Sequence, residues 1–216
     1  MVMPMSPEPP LERSGPVAAI VLAAGGSARM GRNKLLFPLS GETVLRRAVR
    51  RATAAGFEPV VVVLGHEAGR AQAELDGLAC RTVMNPDWEQ GINRSLRTGL
   101  AALPAETSAA VVMLADMPFV TTEMLLTLVE RWRDGTAPLV ISDYEGVNAP
   151  PMLYGCPLFP ELLAMEGEGC GKQVVRRHRE EAASVAWPAA ALADLDVPED
   201  YERVQARVEV RTCSLG

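Results

Sequence analysis

The residues most able to do chemistry lie in one short run, Leu22-Ala23-Ala24-Gly25-Gly26-Ser27-Ala28-Arg29-Met30-Gly31-Arg32-Asn33-Lys34. Small residues let a main chain approach phosphate oxygens closely, and consecutive exposed N–H groups can form an anion nest. Arg29 and Lys34 add fixed positive charge that a triphosphate would pair with. Two familiar phosphate motifs are absent. A P-loop requires Lys and then Ser or Thr after its second glycine, but Gly31 is followed by Arg32-Asn33. The dinucleotide fingerprint Gly-x-Gly-x-x-Gly has a spacing that Gly25-Gly26 and Gly31 do not reproduce. The bland alternative is a glycine turn with two solvated cations. A second signal is Asp116, in Leu114-Ala115-Asp116-Met117-Pro118. A carboxylate just past a buried strand is placed to hold Mg²⁺ (or Mn²⁺), with phosphate oxygens and water completing the shell. Its alternative is a solvated acid opening a turn before Pro118.

These residues need a scaffold, and the hydrophobic pattern supplies one. Val17 to Ala24 is an unbroken apolar run ending in glycines, which predicts a buried parallel strand. Further strands are predicted at Pro59–Leu64, Cys80–Met84, Ala109–Ala115 and Pro138–Ile141. Between them, Thr43–Ala55 places Val44, Leu45, Ala48, Val49 and Ala52 at helical spacing, and Gly56 stops it. Helices are also expected at Gly69–Leu75 and Asn93–Leu103, and after a cap at Thr121 or Thr122 with Met124, Leu125, Leu128, Val129 and Trp132 on one stripe. Such alternation predicts an α/β, three-layer sandwich with a mainly parallel, Rossmann-like sheet and right-handed crossovers. Ligands in such sheets bind beyond the carboxyl ends of the strands. Gly25, His66, Asn85 and Asp116 all follow strand ends and should therefore share one edge. From Asp143 to Tyr154 the alternation fails, and a strand excursion closing over the site is expected there. Short helices follow at Leu158–Met165 and Gln173–Arg179, with a final one at Glu199–Val208.

Composition narrows the function classes. Nearly half the residues are hydrophobic (48%) with only 5% aromatic, so the core is built from aliphatic side chains, as suits a sheet between helices. A formal charge of −6 disfavours nucleic acid or an anionic membrane as partner, while leaving room for a local phosphate site. Cys80, Cys156, Cys170 and Cys213 form no CxxC pair, which points away from structural zinc and toward a reducing cytoplasm. The proline-dense start reads as a disordered tail over residues 1–15, followed by one domain over 16–208 and a short C-terminal tail over 209–216. No stretch is apolar for the roughly 18 residues that a spanning helix needs.

The loop and the Asp116 segment together resemble the molybdenum cofactor nucleotidyltransferases (MobA-like NTP transferases), a branch of a larger superfamily with a glycosyltransferase-A-like fold. Among them the CTP-using cytidylyltransferases are most similar. Their pattern, Leu-Ala-Ala-Gly-x-Ser-x-Arg-Met-Gly-x-x-Lys-Leu-Leu, is met by Leu22 to Leu36 at every named position. Similarity continues through Pro38-Leu39-Ser40-Gly41, Asn85-Pro86-Asp87-Trp88-Glu89-Gln90-Gly91 with Ser95-Leu96, Asp116-Met117-Pro118, Leu158 to Leu163 and Asp194 to Tyr201. GTP-using members read Leu-Ala-Gly-Gly with an Asp before the Lys, whereas here Ala24 and Asn33 stand at those places, which tilts the base toward cytosine.

The resemblance implies transfer of CMP from CTP to molybdopterin or its molybdenum-loaded form, with handover to a molybdenum hydroxylase. It implies that Leu22, Ala23, Ala24, Gly25, Gly26, Ser27, Met30 and Gly31 cradle the triphosphate, that Arg29 braces it and that Lys34 stabilises charge at the α-phosphate. Asp116 would hold the metal, with Asp196 as a second ligand or merely an exposed acid before Pro198. His66, Asn85, Gly91 and Ser95 complete the nucleotide set. His66 is either a ribose contact or a surface-loop residue, and Ser95 either a donor to substrate or a helix cap. Trp88, Trp132 and Trp187 read as core or edge packing. His178, among Arg176, Arg177 and Arg179, is a solvated face or an anion rim. Two departures touch the acceptor side. Gly-His-Pro becomes Ala149-Pro150-Pro151, and Gly-Asp-x-Gly-Ala-Arg becomes Gly167-Glu168-Gly169-Cys170-Gly171-Lys172. Two rivals stay open: a nucleotidyltransferase for another acceptor such as a sugar phosphate, and a non-catalytic cofactor maturation protein.

Overall fold

A computed structural model describes residues 13–27, 30–166, 169 and 171–213. Its centre is β1 (Val17–Ala23), buried at all seven positions. A strand covered on both faces needs apolar residues in both phases, and this one has them. Val17, Ala19, Val21 and Ala23 enter one core, while Ile20 and Leu22 enter the other. Two parallel neighbours flank β1: β4 (Val60–Leu64), which in turn pairs with β5 (Arg81–Met84), and β6 (Ala109–Leu114). Two short strands, β2 (Pro38–Leu39) and β3 (Glu42–Thr43), make a separate hairpin.

The first core is closed by α1 (Val44–Ala54), α2 (Ala68–Ala73), α4 (Thr122–Arg133) and α7 (Pro198–Cys213). On the opposite face lie α3 (Ile92–Ala101), α5 (Phe159–Ala164) and α6 (Lys172–Arg177). The result is the expected three-layer α/β architecture. In α1 the buried residues are the five that the spacing selects, Val44, Leu45, Ala48, Val49 and Ala52, and the Thr43 hydroxyl caps it by accepting from Arg46 N. Thr121 caps α4 in the same way through Met124 N. Helix α3 lies so close to the sheet that a Cβ on Gly99 would sit 2.5 Å from Ile20 Cγ2.

The region after β6 differs from expectation. Instead of closing over the site, Met152–Gly155 (β9) enters the sheet, antiparallel between β6 and β7 (Leu139–Tyr144). All four of its residues are buried, so it belongs in the sheet interior rather than over a cleft. Val147–Asn148 (β8) starts the return from β7, and Pro150-Pro151 interrupt it because proline supplies no ladder N–H. Side chains hold the break: Ser142 Oγ donates to the Pro151 carbonyl and Tyr144 Oη to that of Pro150. Strand β10 (Ala183–Trp187), not anticipated, adds parallel to β7, giving the order β10-β7-β9-β6-β1-β4-β5. Helix α7 runs to Cys213, past the expected end at Val208. At the other end, the Arg13 guanidinium donates to the carbonyls of Trp132 and Ala137 and stacks over the Trp132 ring.

Candidate functional site

The chain leaves β1 toward β4 and β5, then crosses back to β6 on the other side, so the carboxyl ends of β1 and β6 flank the topological switch point. A cleft of about 400 Å³ opens there. Its floor is main chain. The Leu22 carbonyl accepts from Ala115 N and the Ala24 carbonyl from His66 N, both at 3.1 Å, so the ladder on each side outlasts the strand. The loop that follows is pinned by Ser27, whose Oγ accepts from Lys34 N at 3.1 Å and whose carbonyl accepts from Met30 N at 2.9 Å. Past it, Leu35, Phe37 and Leu39 are sunk in the first core. Loop ends are therefore fixed by packing, while Gly25, Gly26 and Ser27 face the cleft.

Three distant segments bring charge together. Lys34 Nζ lies 2.6 Å from Asp116 Oδ2 and 3.0 Å from Asp196 Oδ1. Burial opposes the Lys34 ammonium, but the two carboxylates outweigh it and hold its pKa above the ordinary lysine range. Asp194, in the same segment, has its pKa raised by burial and by the negative charge of Asp196 and Asp116, with Lys34 partly offsetting this.

Each acid is positioned from behind. After Asp116, the side chains of Met117, Phe119 and Val120 are buried. From α1, the Arg51 guanidinium donates to the carbonyls of Pro118, at 2.6 Å, and Val120. Burial first, then Arg47 and Arg50, push the Arg51 pKa down to about 10. Its charge is thus spent on two loop carbonyls in a poorly hydrated place. Asp196 is fixed by the buried Leu195 and by Asp200, whose carboxylate accepts from the main-chain N–H of Asp196 and Val197. Tyr201 anchors this segment to the post-loop turn, packing edge-on against Phe37 and donating to the Pro38 carbonyl.

A second wall of the cleft is contributed by Trp88, Glu89, Gly91, Ile92 and Ser95, and Leu114 also lines it. Gly91 opens α3 at φ 100°, ψ 167°, a conformation that only glycine adopts freely. The Trp88 indole covers the loop: a Cβ on Gly26 would lie 2.7 Å from its Cζ3, and one on Gly65 as close to its Cβ.

The structure gathers most sequence-selected residues and sorts the rest. Leu22 to Ser27, Lys34, Gly91, Ser95, Asp116 and Asp196 line the cleft. Met30 does not; it is buried in the first core because its side chain anchors the far end of the loop. Gly31 takes φ 68° in the exposed turn. Asn85 is buried behind Ser95, and His66 stands beside Trp88 with ring centroids 5.1 Å apart. Arg29, Glu168 and Cys170 lie outside the described residues. Trp88 is the main residue missed by sequence, where it read as packing; its role depends on Gly26 and Gly65 meeting it in space. His178 is away from the cleft, with Nε2 2.7 Å from Glu161 Oε2. Arg176 and Arg179 instead border a second cavity of about 330 Å³ with Asn148, Pro150 and Lys172.

Among the described residues no three His, Cys, Asp or Glu side chains are grouped to hold a metal. Asp116 and Asp196, which both reach Lys34 Nζ, are acids of the type that suits a divalent ion whose remaining ligands are substrate oxygens and water. No helix among the described residues is long and apolar enough to cross a membrane.

Comparison with known proteins agrees with this geometry. The family model of the MobA-like NTP transferase domain matches residues 19–182. The purine catabolism protein PucB of Bacillus subtilis is 28% identical over 209 residues, covering 89% of this chain and 98% of that protein. The bifunctional protein GlmU of Sorangium cellulosum is 34% identical over 135 residues, 58% of this chain but only 28% of GlmU. Among solved structures, Rv0371c of Mycobacterium tuberculosis H37Rv superposes with a TM-score of 0.80 at 26% identity, over 89% of this chain and 98% of that one; its manganese complex gives 0.74. The chain belongs to the MobA-like NTP transferase family and is a nucleotidyltransferase.

Proposed function

We propose that this nucleotidyltransferase transfers CMP from CTP to a molybdopterin-type acceptor. The observation that carries the reading is the meeting of Lys34, Asp116 and Asp196 beside the open main chain of Gly25–Ser27. An acceptor phosphate oxygen attacks the α-phosphorus in line; the new P–O bond forms as the α–β bridging bond breaks, and pyrophosphate leaves with the electron pair. A phosphate monoester is already ionised near neutral pH, so no general base is required, and catalysis consists of positioning and charge neutralisation. Loop amides orient the triphosphate, Lys34 neutralises charge at the α-phosphate and Arg29 braces the outer phosphates. Asp116 and Asp196 would hold Mg²⁺ or Mn²⁺, which supplies charge neutralisation on the phosphate oxygens when bound. The manganese complex of the M. tuberculosis relative favours a divalent ion.

Cytosine is favoured by the Ala24 and Asn33 variants of the loop. The second cavity, with Lys172, Arg176 and Arg179 at its border, suits an anionic acceptor, and a molybdenum hydroxylase would receive the product. The GlmU match favours a second reading, a sugar-phosphate acceptor. Pyrophosphate release measured with each NTP, with and without molybdopterin, tests both. Release with CTP that requires molybdopterin is expected; release that instead requires a sugar phosphate selects the second reading. An Asp116→Ala variant with undiminished magnesium activation would remove Asp116 from the metal site.

A further inference from the structure

Asn85 follows β5, is 2% exposed and lies directly behind Ser95 of α3. Its Oδ1 accepts from the main-chain N–H of Asp87 at 3.0 Å. A main-chain N–H only donates, so that end of the amide must be the oxygen and the other end must be the NH₂. The NH₂ donates to Ser95 Oγ at 2.9 Å. One lone pair of the hydroxyl is thereby used, and its single proton is left for another partner. Among the described residues no acceptor receives that proton. Ser95 lines the cleft, so the proton is available to whatever enters, and a hydroxyl that already accepts a hydrogen bond donates a stronger one. The same cleft is lined by the Trp88 indole and Ile92, surfaces suited to a planar ring, and by the Lys34, Asp116 and Asp196 cluster, which suits phosphates.

We infer that Asn85 is a positioning residue that sets the polarity of the Ser95 hydroxyl, so that this wall presents a hydrogen-bond donor to an acceptor atom of the nucleobase, a ring carbonyl or an unprotonated ring nitrogen. The inference rests on the nucleotide reading of the cleft. It explains why a residue that reaches no ligand is an asparagine: a neutral amide is the side chain that accepts from Asp87 and donates to Ser95 at once.

Asn85→Asp is nearly isosteric and reverses the polarity. Its carboxylate still accepts from Asp87 N but also demands the Ser95 proton, leaving only lone pairs for the base. Titration calorimetry with manganese present, using CTP and inorganic triphosphate as probes, reads the effect. CTP should bind about tenfold more weakly or worse, the cost of facing two acceptors, while inorganic triphosphate binds as in the wild type. In a Ser95→Ala background the same Asn85 substitution should add nothing to the loss for CTP. Equal losses for both probes, no loss for CTP, or a full penalty persisting without the Ser95 hydroxyl would each overturn the inference. If the buried carboxylate prevents folding, Asn85→Ala in the same cycle reads the same coupling, and its penalty must vanish in the Ser95→Ala background. A wild-type protein that bound neither probe would defeat the nucleotide reading itself, whereas one that bound both, with unaltered CTP affinity in the Asn85 variants, would defeat only the role of Asn85.

Discussion

The two walls of the cleft are built on different principles. On one, Lys34, Asp116 and Asp196 put three charges within hydrogen-bond reach, and each comes from a separate part of the chain. On the other, Trp88, Gly91, Ile92 and Ser95 come from one contiguous stretch, and the single charged side chain, Glu89, is exposed. The strength of a charge pair depends on separation, so the first wall is held by remote clamps such as Arg51 and Asp200. Shape and one oriented hydroxyl suffice for the second, which local turn geometry can set. The difference teaches that the first wall should govern rate and the second should govern which nucleotide is held.

The most severe way to break this division is Lys34→Met. Turnover should fall about 10²–10³-fold in a pyrophosphate-release assay, as expected when a donor to developing negative charge is removed. A loss confined to KM would mean that the charged wall merely binds. Next is Arg51→Met, which touches no substrate. Two buried loop carbonyls lose a charged donor, so unfolding should cost about 2 kcal/mol less. The manganese concentration for half-maximal rate should rise as Asp116 loses its fixed place; a drop in stability with unchanged metal dependence would make Arg51 structural only. Gly26→Ala strikes the boundary between the walls. Its methyl would press on an indole already held against Gly65, so KM for the nucleotide should rise several-fold, roughly the effect of a modest overpacking strain, with kcat little altered. The smallest effect is one of pH. Because the folded-state pKa of Lys34 lies above its unfolded value, stability from its pairing is complete at lower pH and is lost only as pH climbs through the folded value. The difference in Tm between wild type and Lys34→Met should therefore stay flat from about pH 6 to 9; a marked slope there would contradict the pairing.

Much of this architecture was legible before folding. The apolar run at Val17–Ala23 and the spacing of Val44, Leu45, Ala48, Val49 and Ala52 encode burial locally, and burial is what was found. Gly25, His66, Asn85 and Asp116 follow strand ends in the structure as in the sequence, because a parallel sheet sends all its crossovers to the same edges. What escaped was non-local. Nothing in Met152–Gly155 announces insertion between β6 and β7, since a short apolar segment suits any buried place. Arg51 reads as one more arginine on the polar side of α1, and only the fold brings it to carbonyls 67 and 69 residues away. Asn85 follows a strand, as the sequence reads it, but its contact with Ser95 of α3 has no counterpart in the spacing. Trp88 was hidden as well, since its neighbours are two glycines that signal turns rather than contacts.

Asp196 stands 162 residues after the lysine it meets. During synthesis, the glycine loop and the strands around it emerge well before that acid does, and a growing chain can assemble the parallel half of its sheet while the lysine still has one carboxylate neighbour instead of two. The acid that completes the charge cluster thus emerges long after the loop and Lys34, so a chain halted before residue 196 holds the loop and its lysine without the third charge.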